Sequence, residues 1–159
     1  MNPATNDRAA PIEDIVKEIA INAPADRVFQ AIADPTHRLK WWGAPGRFQL
    51  THMESDLRPG GAYLMTGSGM GDKPFSIRGQ YRIVDPPRVL EFSWTADWHA
   101  AAAPTIVRFD LDEKSGVTTV RLTHSGFTDE RIKENYQGWP WLMALLQKHV
   151  QSEEPISKP

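Results

Sequence analysis

The stretch GQYRIVDPPRVLEFSW, residues 79–94, decides the fold. Gly79, Tyr81 and Ile83 share one face with Ile77 just before them, and Leu90, Phe92 and Trp94 share a face on the return. Glu91, Ser93 and Thr95 take the opposite side. A period of two is the mark of a strand with one buried face. Between the runs, Asp85-Pro86-Pro87 breaks the pairing, because proline lacks an N–H and fixes φ. The segment therefore predicts two antiparallel strands joined by a short connection.

The same period extends in both directions. Upstream, Phe48, Leu50 and His52 alternate, RPGG (58–61) reads as a turn, and Ala62, Leu64 and Thr66 oppose Tyr63 and Met65. GSGMGDKP (67–74) is a loose hairpin connection. Downstream, Val107, Phe109 and Leu111 alternate with Arg108, Asp110 and Asp112, and a DEKSG turn leads to Val120, Leu122 and His124. That makes about six consecutive strands at hairpin spacing, a mostly antiparallel meander.

The flanks are different. EDIVKEIAIN (13–22) reads as a strand by its β-branched residues, although its charge spacing also suits a helix. Pro24 and Asp26 then suit the first turn of a helix whose buried stripe is Val28, Phe29 and Ile32. Asp34-Pro35 is a second helix start, an N-cap followed by a first-turn proline. That short helix runs into Trp41 and Trp42, and Gly43-Ala44-Pro45-Gly46 stops it. At the far end, Thr128 reads as an N-cap with Asp129 and Glu130 in the first turn. Trp139, Leu142, Met143, Leu146 and Val150 then form one apolar helical stripe. Pro140 predicts a kink or a split into two helical pieces.

The order is strand, two short helices, six strands, long helix. It implies an α+β fold in which a curved antiparallel sheet of about seven strands wraps around a long C-terminal helix. Such a curve tends to leave a cavity between helix and sheet.

Composition narrows the function classes. The 159 residues fit a single domain, expected over 12–151 between polar, disordered tails at 1–11 and 152–159. A formal charge of −2 gives no electrostatic footprint for nucleic acid. With no cysteine there is no disulfide, thiol nucleophile or thiolate metal ligand. No apolar run suits a signal peptide or membrane insertion, so the reading is a cytoplasmic protein. The glycines at 67, 69 and 71 do not match a phosphate loop, and no other cofactor motif is present. His52, Glu54 and Asp56 would share a strand face, but a solvated edge explains them more simply than a metal.

Six stretches in this order resemble a known family: INAPADRVFQAIADP, Trp41-Trp42, LRPGGAY (57–63), residues 79–94, TVRLTHSGF (119–127) and Gly138-Trp139. They are similar to the helix-grip proteins of the START-like (SRPBCC) superfamily, specifically the stand-alone relatives of the C-terminal domain of the Hsp90-ATPase activator (AHSA1-like). The chain departs from that pattern where Pro140 follows Trp139. The resemblance implies a helix-grip fold over roughly residues 12–151. It also implies a role among lipid carriers, hormone receptors, polyketide cyclases and co-chaperones, and it leaves a homodimer open.

Six tryptophans fall near the ends of predicted elements. With the family fold in view, the candidate ligand-binding residues are Trp41, Trp42, Phe48, Tyr81, Trp94, Trp98, His124, Tyr136, Trp139 and Met143. Core packing is the plainer role for any single one. Of the two adjacent indoles, about 100° apart on a helix, Trp42 is the one expected to face a pocket, with Trp41 stapling the helix. No catalytic constellation emerges, although His124, Tyr81 and Tyr136 could serve as acid–base groups if they converged. The favoured reading is a module that binds a small hydrophobic molecule. The alternatives are a cyclase, dehydratase or hydrolase, and a protein-binding module related to Hsp90 or a stress response.

Overall fold

Alternating burial organises the strands in the computed structural model, which describes residues 12–99 and 101–152. The strands are β1 (Ile15–Ile21), β2 (Gly43–Ala44), β3 (Phe48–Ser55), β4 (Ala62–Ser68), β5 (Pro74–Asp85), β6 (Val89–Ala96), β7 (Thr105–Lys114) and β8 (Val117–Ser125). They form one sheet in the order β1-β8-β7-β6-β5-β4-β3-β2, with every neighbouring pair antiparallel. The sheet thus has eight strands rather than about seven, because Gly43-Ala44 adds a short edge. The first segment is a strand, and it closes the meander by pairing with β8.

On β6, β7 and β8 the buried residues are those that the alternation marks: Leu90, Phe92 and Trp94; Val107, Phe109 and Leu111; Val120, Leu122 and His124. Two strands depart from it. The register shifts between Leu50 and His52, so Met53 is buried and His52 is exposed. It shifts again between Tyr81 and Ile83, which leaves Ile83 only half-buried. Each irregularity bends its strand and adds twist, which helps the sheet to curl.

Gly79 shows how tightly the concave face is built. It pairs with Tyr63 on β4, whose hydroxyl donates to the Ser93 carbonyl on β6, 2.6 Å away. A Cβ at Gly79 would collide with that same carbonyl. Gly79→Ala is therefore expected to cost about 1–3 kcal/mol through forced displacement of packed backbone. Urea unfolding measures it, and a change below about 0.5 kcal/mol would contradict the packing described.

Four helices cover the concave side among the described residues: α1 (Ala25–Ala33), α2 (Pro35–Trp41), α3 (Glu130–Glu134) and α4 (Trp139–Ser152). Asp34 caps α2 by accepting from the Thr36 N–H, with Pro35 in the first turn. Asp129, not Thr128, caps α3, because its carboxylate reaches the Arg131 N–H. The expected split is present, but Pro140 does not kink the helix. It occupies the first turn of α4, where a missing N–H costs nothing. The buried stripe of α4 is Trp139, Leu142, Met143, Leu146 and Val150. Arg27 of α1 donates to the Val150 carbonyl and Gln147 donates to the Ala20 carbonyl, so α4 is tied to both α1 and β1. The tail expected at 1–11 lies outside the described residues, as does that expected at 152–159 apart from Ser152, which ends α4 instead.

Candidate functional site

Five of the ten candidate residues meet at the start of α4. The Trp42 ring lies 6.1 Å from that of Trp94 and 5.7 Å from that of Trp139. Trp94 also packs against His124 and Tyr136, at 5.8 and 5.9 Å. All five are buried, as is Met143 on the same helical stripe. Trp41 is buried as well, and its indole donates to the Ala31 carbonyl, fastening α2 to α1. These rings fill the space between α4 and strands β6 to β8.

Both ring nitrogens of His124 and the indole N–H groups of Trp94 and Trp139 are engaged within this cluster. An indole N–H can only donate, so Trp139 Nε1 bonding to His124 Nδ1 at 3.2 Å leaves the imidazole proton on Nε2. That nitrogen lies 2.8 Å from Thr105 Oγ1, and the Thr105 hydroxyl donates to the Trp94 carbonyl. Burial pushes the His124 pKa down to about 3, so the ring is neutral at physiological pH. Trp94 Nε1 donates to the Tyr136 hydroxyl, whose ionisation is pushed up by burial. Tyr81 lies apart, with its hydroxyl 2.6 Å from Ser55 Oγ. The three groups considered for acid–base work are thus spread over separate hydrogen-bond systems.

Phe48 and Trp98 sit outside the cluster. Phe48 is half-buried against Phe75 and Trp141, and Trp98 is 48% exposed with its ring 5.9 Å from Phe75. His52 pairs with Glu54 and Asp56 with Arg58, and no group of three metal-ligating side chains occurs among the described residues.

Trp94 and Tyr136 border only a small pocket of about 10 Å³, and a wider space lies elsewhere. A cleft of about 540 Å³ runs between the α1–α2 corner and the ends of the sheet hairpins. Phe29, Ala33, Leu57, Pro86 and Pro87 give it an apolar wall, Asp26, Asp34 and Ser55 are among its polar lining, and none of the ten candidates lines it. Against the ring of Trp42 lies a residue that the sequence patterns did not single out. Arg38 is only 1% exposed, and its guanidinium sits 4.8 Å from the Trp42 ring and 5.9 Å from that of Phe92. Nε and Nη2 donate to the Ile32 carbonyl, and Nη1 donates to Met65 Sδ. A helical signal was there to be read: Arg38 precedes Trp41 and Trp42 by three and four residues, so all three share a face.

Comparison with known proteins agrees with this architecture. A search of the curated proteins finds no match. Among solved structures, a protein of Chromobacterium violaceum is 24% identical with a TM-score of 0.78, the match covering 88% of this chain and 98% of that one. The AHSA1 protein of Silicibacter pomeroyi is 21% identical with a TM-score of 0.76, covering 89% and 100%. An AHSA1-like protein of Aeromonas hydrophila is 22% identical with a TM-score of 0.72, covering 88% and 93%. At such identities these likenesses show the fold. The model of the Activator of Hsp90 ATPase homolog 1-like protein family matches residues 22–151, from the end of β1 through nearly all of α4. The chain belongs to that family.

Proposed function

We propose that the domain binds a small hydrophobic molecule, seated in the cleft between the α1–α2 corner and the ends of the sheet hairpins. The cleft carries this reading. Its volume of about 540 Å³ lies within the roughly 300–1,000 Å³ of small-molecule sites, and Phe29, Ala33, Leu57, Pro86 and Pro87 make its wall largely apolar. Leu57 is 41% exposed at its rim, a side chain that a ligand would cover. The enzyme alternative has less to use, because both nitrogens of His124 are engaged.

Titration with dodecanol, followed by tryptophan fluorescence and thermal unfolding, tests the proposal. Saturable binding is expected, with about 2.7 kcal/mol of stabilisation at a hundredfold excess over Kd. Leu57→Asp is expected to weaken binding about tenfold or more by placing a charge on the apolar wall. Its effect on the unliganded protein should stay within about 0.5 kcal/mol, since Leu57 is a partly exposed loop residue. Absence of saturable binding would sink the proposal.

A second reading, a protein-binding module of the Hsp90-regulating kind, draws support from the family and from exposed apolar groups. Met70 is 73% exposed, and Trp98 stands on Phe75 at the surface. Stimulation of an Hsp90 ATPase would support it, and an unchanged rate would count against it.

A further inference from the structure

Arg38 is an anomaly in energetic terms. Arginine stays protonated in proteins and is almost never fully buried unless paired. Here no carboxylate among the described residues lies within ion-pair distance of it. Burial pulls its pKa down, with Tyr81 and Tyr63 acting more weakly in the opposite direction. Burial in turn pushes the Tyr63 ionisation well above its usual range, so that hydroxyl is neutral and supplies no counter-charge.

The partners Arg38 does have are weak for a full charge. The Ile32 carbonyl lies at the C-terminal end of α1, where the helix dipole contributes only a fraction of a negative charge. Met65 Sδ is a poor acceptor, and the rings of Trp42 and Phe92 offer cation–π contact. A guanidinium has five N–H groups. After the bonds to Ile32 and Met65, one N–H remains on each terminal nitrogen, two charged donors available to a carboxylate.

The surroundings connect this charge to the cleft. Ser55 lines the cleft and bonds the Tyr81 hydroxyl at 2.6 Å. The Tyr81 ring packs on Tyr63 and Phe92, at 5.6 and 6.1 Å, and Phe92 lies against the guanidinium. On the other side, Phe29 and Ala33 line the cleft from the same helix whose Ile32 carbonyl holds Arg38. The contacts Ser55–Tyr81, Tyr81–Phe92 and Phe92–Arg38 thus link a largely apolar port, whose lining also includes the carboxylates of Asp26 and Asp34, to a buried cation lacking an anion.

We propose that Arg38 receives the carboxylate head of an amphipathic ligand, a monoanionic acid on an apolar body, which enters through the cleft by parting Ser55 from Tyr81. The assignment rests on the binding-module reading and names its ligand class. The acid supplies the missing negative charge in a site where water is excluded and a charged hydrogen bond is strong. The apolar body remains against Phe29, Leu57 and the two prolines.

A matched pair of probes separates this assignment from its parent. Dodecanoate and dodecanol are titrated at pH 8, below their aggregation limits, into the wild-type protein and Arg38→Met. The wild type is expected to bind dodecanoate at least about tenfold more tightly than dodecanol. Arg38→Met is expected to erase that preference and leave dodecanol affinity within about threefold, a change that loss of packing alone would not produce. Dodecanol binding without an acid preference, or a preference that survives Arg38→Met, overturns the assignment and leaves the binding module standing. Binding of neither probe overturns both. Should Arg38→Met fail to fold, the wild-type side-chain Nε–Hε resonance of Arg38 decides. It is expected to shift with dodecanoate and not with dodecanol, and a resonance unmoved by both rejects the assignment.

Discussion

Trp42→Ala is expected to lower folding stability by about 3–5 kcal/mol, the range for removing a large aromatic from a packed core. The indole spans three elements. It follows α2, meets Trp94 of β6 and the first residue of α4, and forms the face on which the Arg38 guanidinium rests. Truncation leaves a cavity that the neighbouring rings cannot fill without leaving their own contacts, and it strips Arg38 of the nearer of its two cation–π partners. Trp42→Phe is expected to restore more than half of the loss. Trp98→Ala, at a surface position, should stay within about 0.5 kcal/mol. Urea unfolding of the three variants checks the order. A loss below about 1 kcal/mol for Trp42→Ala would mean that the indole does not join these elements.

Those two tryptophans show what could be read from sequence and what could not. The period of two on β6, β7 and β8 names the buried face without error, because a strand in register has only two faces to offer. Asp34-Pro35 marks the start of α2 because capping is a local event. The bulges after Leu50 and Tyr81 escape such reading, since they are set by the partner strand and the curl of the sheet. The shift of the α3 cap from Thr128 to Asp129 is a choice between two competent residues one position apart.

Site residues are harder for a related reason. An aromatic stripe announces burial, but a packed cluster and a lined cavity present the same stripe. Trp42, Trp94 and Trp139 are in mutual ring contact, whereas the open cleft is walled by smaller residues such as Ala33 and Pro87. Arg38 hid behind the habit of placing charges outside. Only its helical spacing from the two tryptophans, and not its chemistry, said that it points inward.

Stability should fall as the pH drops from 6.5 toward 4.5, and His124 is the group responsible. In the unfolded chain a histidine titrates near its ordinary value of about 6.5. In the folded protein burial holds His124 down to about 3, with Nδ1 accepting from Trp139 and so unable to carry a proton without breaking that bond. The unfolded state therefore binds the extra proton throughout this window. The contribution is fully present above about pH 6.5 and is lost progressively as pH falls toward 3. At pH 4.5 the loss is about 2–3 kcal/mol relative to pH 7.5, since each unit of pKa difference is worth about 1.4 kcal/mol. His124→Gln removes the titrating group. It should be less stable than wild type at pH 7.5, because the Trp139 and Thr105 bonds are disturbed, yet its stability should decline less steeply with acid. Urea midpoints of both proteins between pH 7.5 and 4.5 provide the measurement. The two curves should converge by about 2–3 kcal/mol as pH falls, and parallel curves would show that His124 accepts a proton in the folded state without cost.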